Sequence, residues 1–242
     1  MKILVLSDIH ANLDALEKVI AASSALAPDM IVCLGDVVGY GANPGECVEL
    51  IDRHADVRIC GNHDLAAAGV QDYSNFNGVA SISIEWTRHA LDEREIGLLK
   101  KYEPTRSLEG CLFSHASPVD PLAWEYIYTM NRARILMDEV SERIVFVGHT
   151  HIPGIISFDR DGDGRVEENT LLRLEPDRRY LVNTGSVGQP RDGVDAASFV
   201  MLDLEEDMLN MHRASYDVIS AQKKIRAEGL PEALAGRLAS AK

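Results

Sequence analysis

Five apolar stretches of the sequence are each followed, after one serine or glycine, by aspartate, asparagine or histidine. The polar residues that follow them are Asp8 and His10; Asp36; Asn62, His63 and Asp64; His115; and His149 and His151. The last two histidines stand two positions apart, so in an extended segment they project to the same side. Two solvated imidazoles at a strand end are the plainer interpretation of that pair alone. Five occurrences of the same pattern favour a shared ligand.

Seven of these side chains offer carboxylate, carboxamide or imidazole donors, and none offers a thiolate. They are Asp8, His10, Asp36, Asn62, His115, His149 and His151. This donor set suits manganese, iron, cobalt, nickel or zinc without selecting one of them. Seven ligands exceed the needs of one catalytic ion, whereas two divalent ions about 3.5 to 4 Å apart, bridged by an aspartate, would use them. Such a pair is suited to phosphoryl displacement.

In the first half of the chain, short strand-like runs alternate with helical patterns. This alternation is typical of parallel strands joined by crossover helices, and these elements must position the polar residues. Strands are predicted at Ile3–Leu6, Met30–Leu34, Val57–Cys60, Cys111–Phe113 and Ile144–Val147. Asn12 is predicted to cap the first helix, and Asn43 the second, with Glu46 closing a capping box. Because ligands of open α/β sheets bind beyond the carboxyl ends of the strands, the five loops are expected to converge on one cleft.

The second half of the chain shows a different pattern of secondary structure. A helical region from about 78 to 102 comes before it, and after Pro153 short alternating strands typical of antiparallel sheet follow. These strands are predicted at Ile155–Phe158, Leu171–Leu174, Tyr180–Asn183, Phe199–Leu204 and Met208–Ala214. Two C-terminal helices are predicted, one over Val218–Glu228 and one that ends near Leu238. The sequence contains no repeat or linker, so residues 1–242 are predicted to form a single α/β domain with two packed sheets and helices outside.

Composition narrows the classes of partner. Hydrophobic residues make up 46% of the chain, which is ample for a core, and 38 acidic against 24 basic residues give a formal charge of -14. No stretch concentrates lysine and arginine, so duplex nucleic acid is not an expected ligand. Neither a signal-peptide core nor a membrane span is predicted, and the expected location is the cytoplasm. The sequence does not indicate an oligomeric state.

The polar motifs taken together resemble the signature of calcineurin-like metallophosphoesterases. They read Asp8-x-His10, Gly35-Asp36, Gly61-Asn62-His63-Asp64, His115 and Gly148-His149-x-His151. The segment NTGSVGQPRD, from Asn183 to Asp192, resembles a branch of small bacterial and archaeal phosphodiesterase-like members. This resemblance implies a four-layer αββα sandwich of two mixed sheets flanked by helices.

The resemblance also implies a role for each polar residue. One metal would be bound by Asp8, His10 and His151, the other by Asn62, His115 and His149, and both by Asp36. His63 would stand beside the scissile phosphate, where it protonates the leaving alkoxide or stabilises its charge, and Asp64 would orient its ring. The implied reaction is in-line attack on phosphorus by a metal-bridging hydroxide.

Three further side chains are candidate substrate contacts, and each has a plainer structural role. Asn12 is favoured as a helix cap, Tyr40 can be an ordinary loop aromatic, and Arg191 can be a surface residue, although guanidinium suits phosphate. The WEYIY segment, Trp124 to Tyr128, is expected to overhang the metals. Residues 159–170 imitate a calcium loop, but Thr170 stands where a bidentate glutamate belongs, which favours a hairpin turn.

The leading hypothesis is a phosphoesterase acting on a phosphodiester or a small phosphorylated metabolite. A nucleotide-directed hydrolase, cleaving cyclic nucleotides or dinucleoside polyphosphates, is the main alternative. A protein phosphatase is disfavoured because Gly39 and Tyr40 stand where those relatives have aspartate and arginine. A non-catalytic scaffold is disfavoured because no expected ligand is missing.

Overall fold

Two six-stranded mixed sheets form the centre of the molecule in the computed structural model, which describes all 242 residues. The strands are β1 (Lys2–Leu6), β2 (Met30–Cys33), β3 (Val57–Arg58), β4 (Thr105–Leu108), β5 (Cys111–Ser114), β6 (Ile144–Val147), β7 (Gly154–Phe158), β8 (Gly164–Glu167), β9 (Leu171–Arg173), β10 (Arg179–Asn183), β11 (Ala197–Asp203) and β12 (Met208–Ala214). The first sheet has the order β3-β2-β1-β11-β12-β9, and the second has the order β4-β5-β6-β10-β7-β8.

Each sheet contains one run of three parallel strands. In the first sheet β1 pairs in parallel with β2, and β2 with β3; in the second β6 pairs in parallel with both β5 and β10. The carboxyl ends of the strands in each run therefore lie at the same edge of their sheet. Antiparallel strands from the second half of the chain complete both sheets.

The two sheets pack face to face over an apolar layer. Side chains alternate along a strand, so Ile3 and Val5 of β1 point into this layer, where Phe113 and Phe146 of the second sheet lie stacked. Leu4 and Leu6 point the other way, into a second core beneath the helices. Strands buried on both faces explain the continuous apolar runs that preceded each polar motif in the sequence.

Helices cover the outer face of each sheet. They are α1 (Leu13–Ser24), α2 (Pro44–His54), α3 (Asn62–Ala67), α4 (Gly78–Ala90), α5 (Glu93–Leu99), α6 (Met130–Glu139), α7 (Val218–Ala227) and α8 (Glu232–Ser240). Helix α6 packs on the second sheet, and α1 to α5 pack on the first. The predicted four-layer αββα architecture is confirmed. None of these helices combines the length and the apolar character that crossing a membrane requires.

Local predictions at the helix termini had mixed outcomes. The Asn12 cap of α1 is confirmed, since its side-chain oxygen accepts a hydrogen bond from the backbone N–H of Ala15 at 3.2 Å. The Asn43 cap of α2 is wrong: its side chain caps no backbone N–H of the helix and instead donates to the Glu46 carboxylate at 2.9 Å. Two side chains that bond each other leave the first-turn N–H groups without their caps.

Three further segments differ from the sequence-based expectation, among them β8, which lies within residues 159–170. The helical region near 78–102 is two helices, because Asp92 and Glu95 form a reciprocal capping box that starts α5. The short edge strand β4 was not predicted; its exposed Arg106 and Ser107 give it no apolar pattern. The predicted hairpin is confirmed, since β7 and β8 pair across a turn in which Asp159 accepts backbone N–H groups.

Candidate active site

The predicted polar residues come together at the carboxyl edge of the parallel strands. Asp8 and His10 follow β1, Asp36 follows β2, and Asn62, His63 and Asp64 begin α3; His115 follows β5, and His149 and His151 follow β6. All of these side chains are buried. Residues spread over about 140 positions of sequence therefore share one polar nest between the two sheets.

One half of the nest contains His10, His151 and Asp8. The Nε2 atoms of the two histidines lie 3.0 Å apart. The Asp8 Oδ1 atom lies 3.2 Å from the Nε2 atom of His151 and 3.8 Å from that of His10. Three potential donor atoms thus face a common point.

The other half contains His115, His149 and Asp36. Nε2 of His115 lies 3.1 Å from Nδ1 of His149 and 3.4 Å from Oδ2 of Asp36. The same Asp36 oxygen lies 3.7 Å from Nε2 of His10, in the first half of the nest. Asp36 is therefore the carboxylate that both groups of donor atoms share.

Backbone carbonyls fix the tautomers of the four histidines. His10 Nδ1 faces Val38 O at 3.2 Å, His115 Nδ1 faces Leu34 O at 3.0 Å, His149 Nε2 faces Trp124 O at 3.1 Å, and His151 Nδ1 faces Gln189 O at 2.6 Å. A carbonyl can only accept, so each of these nitrogens carries the ring proton. When the rings are neutral, the remaining nitrogens direct lone pairs at each other, in two pairs, one in each half of the nest.

This arrangement fits divalent cations. Two lone pairs facing each other at 3.0 or 3.1 Å repel unless a cation or a proton lies between them. Two buried oxygens, Oδ1 of Asp8 and Oδ1 of Asn62, have no hydrogen-bond partner, which is costly unless they bind something else. Carbonyl-oriented histidines are also the usual surroundings of a metal. The donor set therefore fits metal binding, and the structure by itself selects no element.

The electrostatics of the nest keep both aspartates ionised. Burial opposes ionisation of Asp8, but the neighbouring His151 and His115 outweigh it and hold the pKa of Asp8 below its usual range. For Asp36, burial is likewise outweighed, chiefly by His115 and His63, and the pKa is well below its usual range. Burial, with His115 adding to it, lowers the pKa of His149 to about 3. At His115 the effect of burial is outweighed by the Asp36 carboxylate, which raises the pKa of the ring to about 9, so this ring holds a second proton that metal binding would displace. Ionised carboxylates and neutral imidazoles are the protonation states that metal ligands require.

The loops that carry these residues have a strained backbone. Asp8, His10, Asp36, His149 and His151 all have φ between 50° and 65°, the left-handed region that non-glycine residues rarely adopt. The conformation is held by backbone hydrogen bonds between loops, including Asp8 N to Gly35 O at 3.0 Å and His10 N to Asp36 O at 2.9 Å. Strain of this kind concentrates at functional sites, where it sets the direction of a side chain.

His63 lies in the nest, but the predicted role of Asp64 in orienting its ring is wrong. Asp64 accepts from the backbone N–H groups of Val37 at 2.8 Å, Val38 at 3.2 Å and Gly61 at 3.0 Å, and it therefore ties the Asp36 loop to the start of α3. The Nδ1 atom of His63 has no hydrogen-bond partner. Packing holds this ring instead, 5.0 Å from His10 and 4.5 Å from Tyr40 between ring centroids.

The three candidate substrate contacts fall into two groups. Both polar ends of the Asn12 side chain are occupied, since it caps α1 and donates to Gly188 O at 2.8 Å, so the cap role is the one that the structure bears out. Tyr40 lies against the rings of His10 and His63. Arg191 lies beside the nest, because its backbone N–H donates to the carbonyl of His151 at 3.2 Å. Burial raises the pKa of Tyr40, and the nearby Arg191 guanidinium opposes this rise.

Sequence reasoning missed two features of the site. The carbonyls of Gln189 and Trp124 orient His151 and His149, and backbone oxygens leave no signal in a sequence. Tyr126 stacks on the His149 ring, with 4.0 Å between centroids. Its position in the WEYIY segment was the one available clue, because that segment was expected to overhang the site.

Close packing around Asp8 gives a stability prediction. A Cβ atom at Gly188 would lie 1.7 Å from the backbone oxygen of Ile9, next to the bond from Gly188 N to Asp8 O. Gly188→Ala is expected to lower the free energy of unfolding by about 3 kcal/mol, because a backbone atom must shift. Urea denaturation of the metal-free protein measures this effect.

The matched control is Gly236→Ala, in α8. Nothing lies within 4 Å of the added Cβ, so this variant is expected to stabilise the protein by about 0.5 to 1 kcal/mol through helix propensity. Equal denaturation midpoints for the two variants would contradict the packing described here.

Comparison with known proteins agrees with this geometry. Residues 1–207 match the family model of the calcineurin-like phosphoesterase superfamily domain. The uncharacterized protein MJ0912 of Methanocaldococcus jannaschii is 38% identical over 242 residues, covering 98% of this chain and 96% of that protein. A metallophosphoesterase from Sphaerobacter thermophilus has a crystal structure that superimposes with a TM-score of 0.87 at 36% identity, covering 100% of this chain and 99% of that one.

A more distant structure shares the fold alone. The hypothetical protein PH1004 from Pyrococcus horikoshii OT3 superimposes with a TM-score of 0.81 at 19% identity, covering 100% of this chain and 98% of that one. The family match and the two more similar proteins establish the family of this chain. The chain belongs to the calcineurin-like phosphoesterase superfamily, and it is a metal-dependent phosphoester hydrolase.

Proposed function

We propose that this chain hydrolyses a phosphodiester or a small phosphorylated metabolite with two divalent metal ions, manganese among the candidates. The observation that carries the proposal is the paired arrangement of four histidines whose protons are directed at backbone carbonyls. The two pairs of free nitrogens, 3.0 and 3.1 Å apart, flank one carboxylate oxygen of Asp36. This arrangement supports two sites that share a ligand.

The proposed ligands divide as the two halves of the nest do. Asp8, His10 and His151 would hold one ion, Asn62, His115 and His149 would hold the other, and Asp36 would contact both. The backbone N–H of His63 donates to Asp36 Oδ1 at 2.9 Å, and that of His149 donates to Asp8 Oδ2 at 3.0 Å. These bonds leave Oδ2 of Asp36 and Oδ1 of Asp8 free for cations.

When bound, the two ions would acidify a water for attack on phosphorus and offset the charge of the phosphate oxygens. The protein supplies the rest. Burial is the main cause that lowers the pKa of His63 to about 4, so at neutral pH the ring is neutral and keeps one N–H. We propose that this N–H hydrogen-bonds the leaving oxygen as negative charge develops there. Arg191, whose backbone N–H donates to the carbonyl of His151, would bind a non-bridging phosphate oxygen.

The C-terminal helices support the same site, so we propose that residues 1–242 act as one domain. Ile225, Leu230, Leu234 and Leu238 from α7, α8 and the turn between them are buried in one cluster with Tyr40. This cluster fixes the loop that follows Asp36. The formal charge of -14 disfavours duplex nucleic acid, and we propose a small phosphorylated substrate instead.

A substrate and metal panel tests the proposal. Protein stripped with EDTA and reloaded with manganese, nickel, iron or zinc would be assayed on bis(p-nitrophenyl) phosphate, p-nitrophenyl phosphate and a phosphoserine peptide. We expect metal-dependent turnover of a small ester and little turnover of the peptide. If the protein binds metal tightly but hydrolyses no phosphoester, the proposal is wrong and a non-catalytic binding scaffold is the better explanation.

Arg191→Ala tests the phosphate contact. Loss of one charged hydrogen bond to the substrate is expected to raise KM by roughly ten- to a hundredfold with metal content unchanged. The matched control is Arg106→Ala, on the exposed edge strand β4, where the guanidinium pairs only with Glu103. If both variants keep the KM of the unmodified protein, Arg191 does not bind the phosphate.

A further inference from the structure

Three aromatic rings extend the site outward from the metal nest. The Tyr126 ring lies on His149 with an interplanar angle of 19°, and Tyr128 lies on Tyr126 at 11°, with 5.1 Å between centroids. The three near-parallel rings form a continuous stack. Its inner end is a proposed metal ligand, and its outer end is Tyr128.

Both outer rings are partly exposed, but Tyr126 lies between two rings, so the open ring face of the stack belongs to Tyr128. Tyr126 is 43% exposed and Tyr128 is 61% exposed. The segment that carries them is nevertheless anchored, because Trp124 donates from Nε1 to Gln71 at 2.8 Å and its carbonyl accepts from His149. A fixed aromatic surface facing solvent beside a catalytic centre is a ready platform for another planar ring.

A cavity of about 290 Å³ lies beside the outer end of the stack. Its lining includes Tyr128, Ile127, Ile152 and Val166, and also Thr150, which stands between His149 and His151. An apolar cavity of about 150 Å³ can already hold benzene, so this volume is sufficient for a one- or two-ring system. The cavity therefore adjoins the loop that carries two of the proposed ligands.

The polar groups of this cavity are already paired. Asn183 donates to Gly148 O at 2.8 Å and to Thr150 Oγ1 at 2.9 Å, and its own oxygen accepts from Gly185 N at 3.0 Å. These side chains have little capacity left to read the hydrogen-bonding edge of a ligand. Recognition here would rest on stacking and apolar contact, which every nucleobase can provide.

Arg191 connects the stack with the phosphate position. Burial raises the pKa of Tyr126 to about 12, against an opposing effect of the nearby Arg191. The same guanidinium lies near Tyr40 and His63. The backbone N–H of Arg191 also donates to the carbonyl of His151 at 3.2 Å. A phosphate bound at Arg191 would thus lie near both the metal nest and the tyrosines.

We propose that the Tyr126–Tyr128 stack and the adjoining cavity bind a planar aromatic group of the substrate by stacking, without selecting one base. The substrate class is then a phosphoester that carries a nucleobase or another flat ring. This inference rests on the proposed phosphoesterase function, since it concerns the part of the substrate that does not react. It also distinguishes a nucleotide-like substrate from an aliphatic sugar phosphate.

The test compares two competitors of bis(p-nitrophenyl) phosphate hydrolysis by the manganese-loaded protein. Adenosine 5′-monophosphate and ribose 5-phosphate share the phosphate and the sugar position and differ by the base. The nucleotide is expected to compete roughly tenfold more tightly or better, within the range that stacking of one base gives. Cytidine 5′-monophosphate is expected to behave like the adenosine compound. Equal competition by nucleotide and sugar phosphate would overturn the inference.

Variants of Tyr128 separate stacking from simple apolar contact. Tyr128→Phe should keep the preference for the nucleotide, Tyr128→Leu should remove most of it, and Ile219→Ala, at a residue of α7 with 63% exposure, should keep it. A preference unchanged in both Tyr128→Leu and Tyr126→Leu would overturn the inference. A change of oligomeric state in Tyr128→Leu, seen by light scattering, would also overturn it, because a second copy would then cover the stack.

The two proposals fail differently. If the metal-loaded protein does not hydrolyse the nitrophenyl diester or any other phosphoester, the proposed function fails. If it does so while the nucleotide and the sugar phosphate compete equally, only the aromatic site fails.

Discussion

Asp36→Ala is expected to lose bound metal and to lower kcat/KM by roughly 10³-fold or more, because the charge stabilisation that the ions supply amounts to several kcal/mol. Asp36 is the one carboxylate whose oxygen lies near histidines of both halves of the nest, at 3.4 Å from His115 and 3.7 Å from His10. Its removal would also take away the negative charge that offsets the two cations. Metal content by mass spectrometry and turnover of bis(p-nitrophenyl) phosphate measure both effects.

Two companion variants make the Asp36 result interpretable. Asp36→Asn keeps the acceptor for the His63 backbone N–H and removes the charge, so it should fold normally and still bind metal poorly. Asp72→Ala, at an exposed aspartate that bonds only Ser74 and its backbone, should match the unmodified protein. Full metal content and activity in Asp36→Ala would contradict a shared carboxylate.

His63→Ala is expected to retain metal yet lower kcat by roughly 10²- to 10³-fold, the usual cost of removing one hydrogen-bond donor to a developing negative charge. The ring is buried beside His10 and Tyr40, and its Nδ1 atom lacks a partner. Packing, and not a hydrogen bond from Asp64, holds it. Single-turnover kinetics together with metal analysis would separate chemistry from metal binding.

The control for His63 is His89→Ala, since His89 is exposed and bonds only the Glu85 carbonyl of its own helix. That variant should be fully active. His63 also lies close enough to His10 and Asp36 to form a third group of potential metal ligands. Loss of metal in His63→Ala would therefore make it a ligand and remove it from the proposed contact with the leaving oxygen.

The convergence of the five polar loops was predictable because it follows from topology. Strand ends in a parallel run must share an edge, so the residues after β1, β2 and β3 could be expected to meet at the edge of one sheet and those after β5 and β6 at the edge of the other. Face-to-face packing of the two sheets then brings the two edges together. The strands that precede these residues could also be predicted. Both faces of β1, β2, β5 and β6 are buried, so each of these strands is a continuous apolar run in the sequence. The fold class followed from the same two facts and from the family resemblance.

The failed predictions concern groups whose role depends on partners that are distant in sequence or not encoded in side chains. Asp64 was assigned to its neighbour His63, but three backbone N–H groups compete for it successfully. Asn43 and Glu46 have the residue types of a capping box, yet their side chains bond each other. The left-handed φ values of Asp8, Asp36 and His149 are likewise set by hydrogen bonds between loops, so they could not be predicted from the conformational preferences of the residues themselves.

Anomalous diffraction from crystals of the manganese-loaded protein tests the central claim most directly. Two peaks are predicted in the nest, one beside Asp8, His10 and His151 and one beside Asn62, His115 and His149, with Asp36 in contact with both. A single peak, or metal bound only outside the nest, would contradict the account.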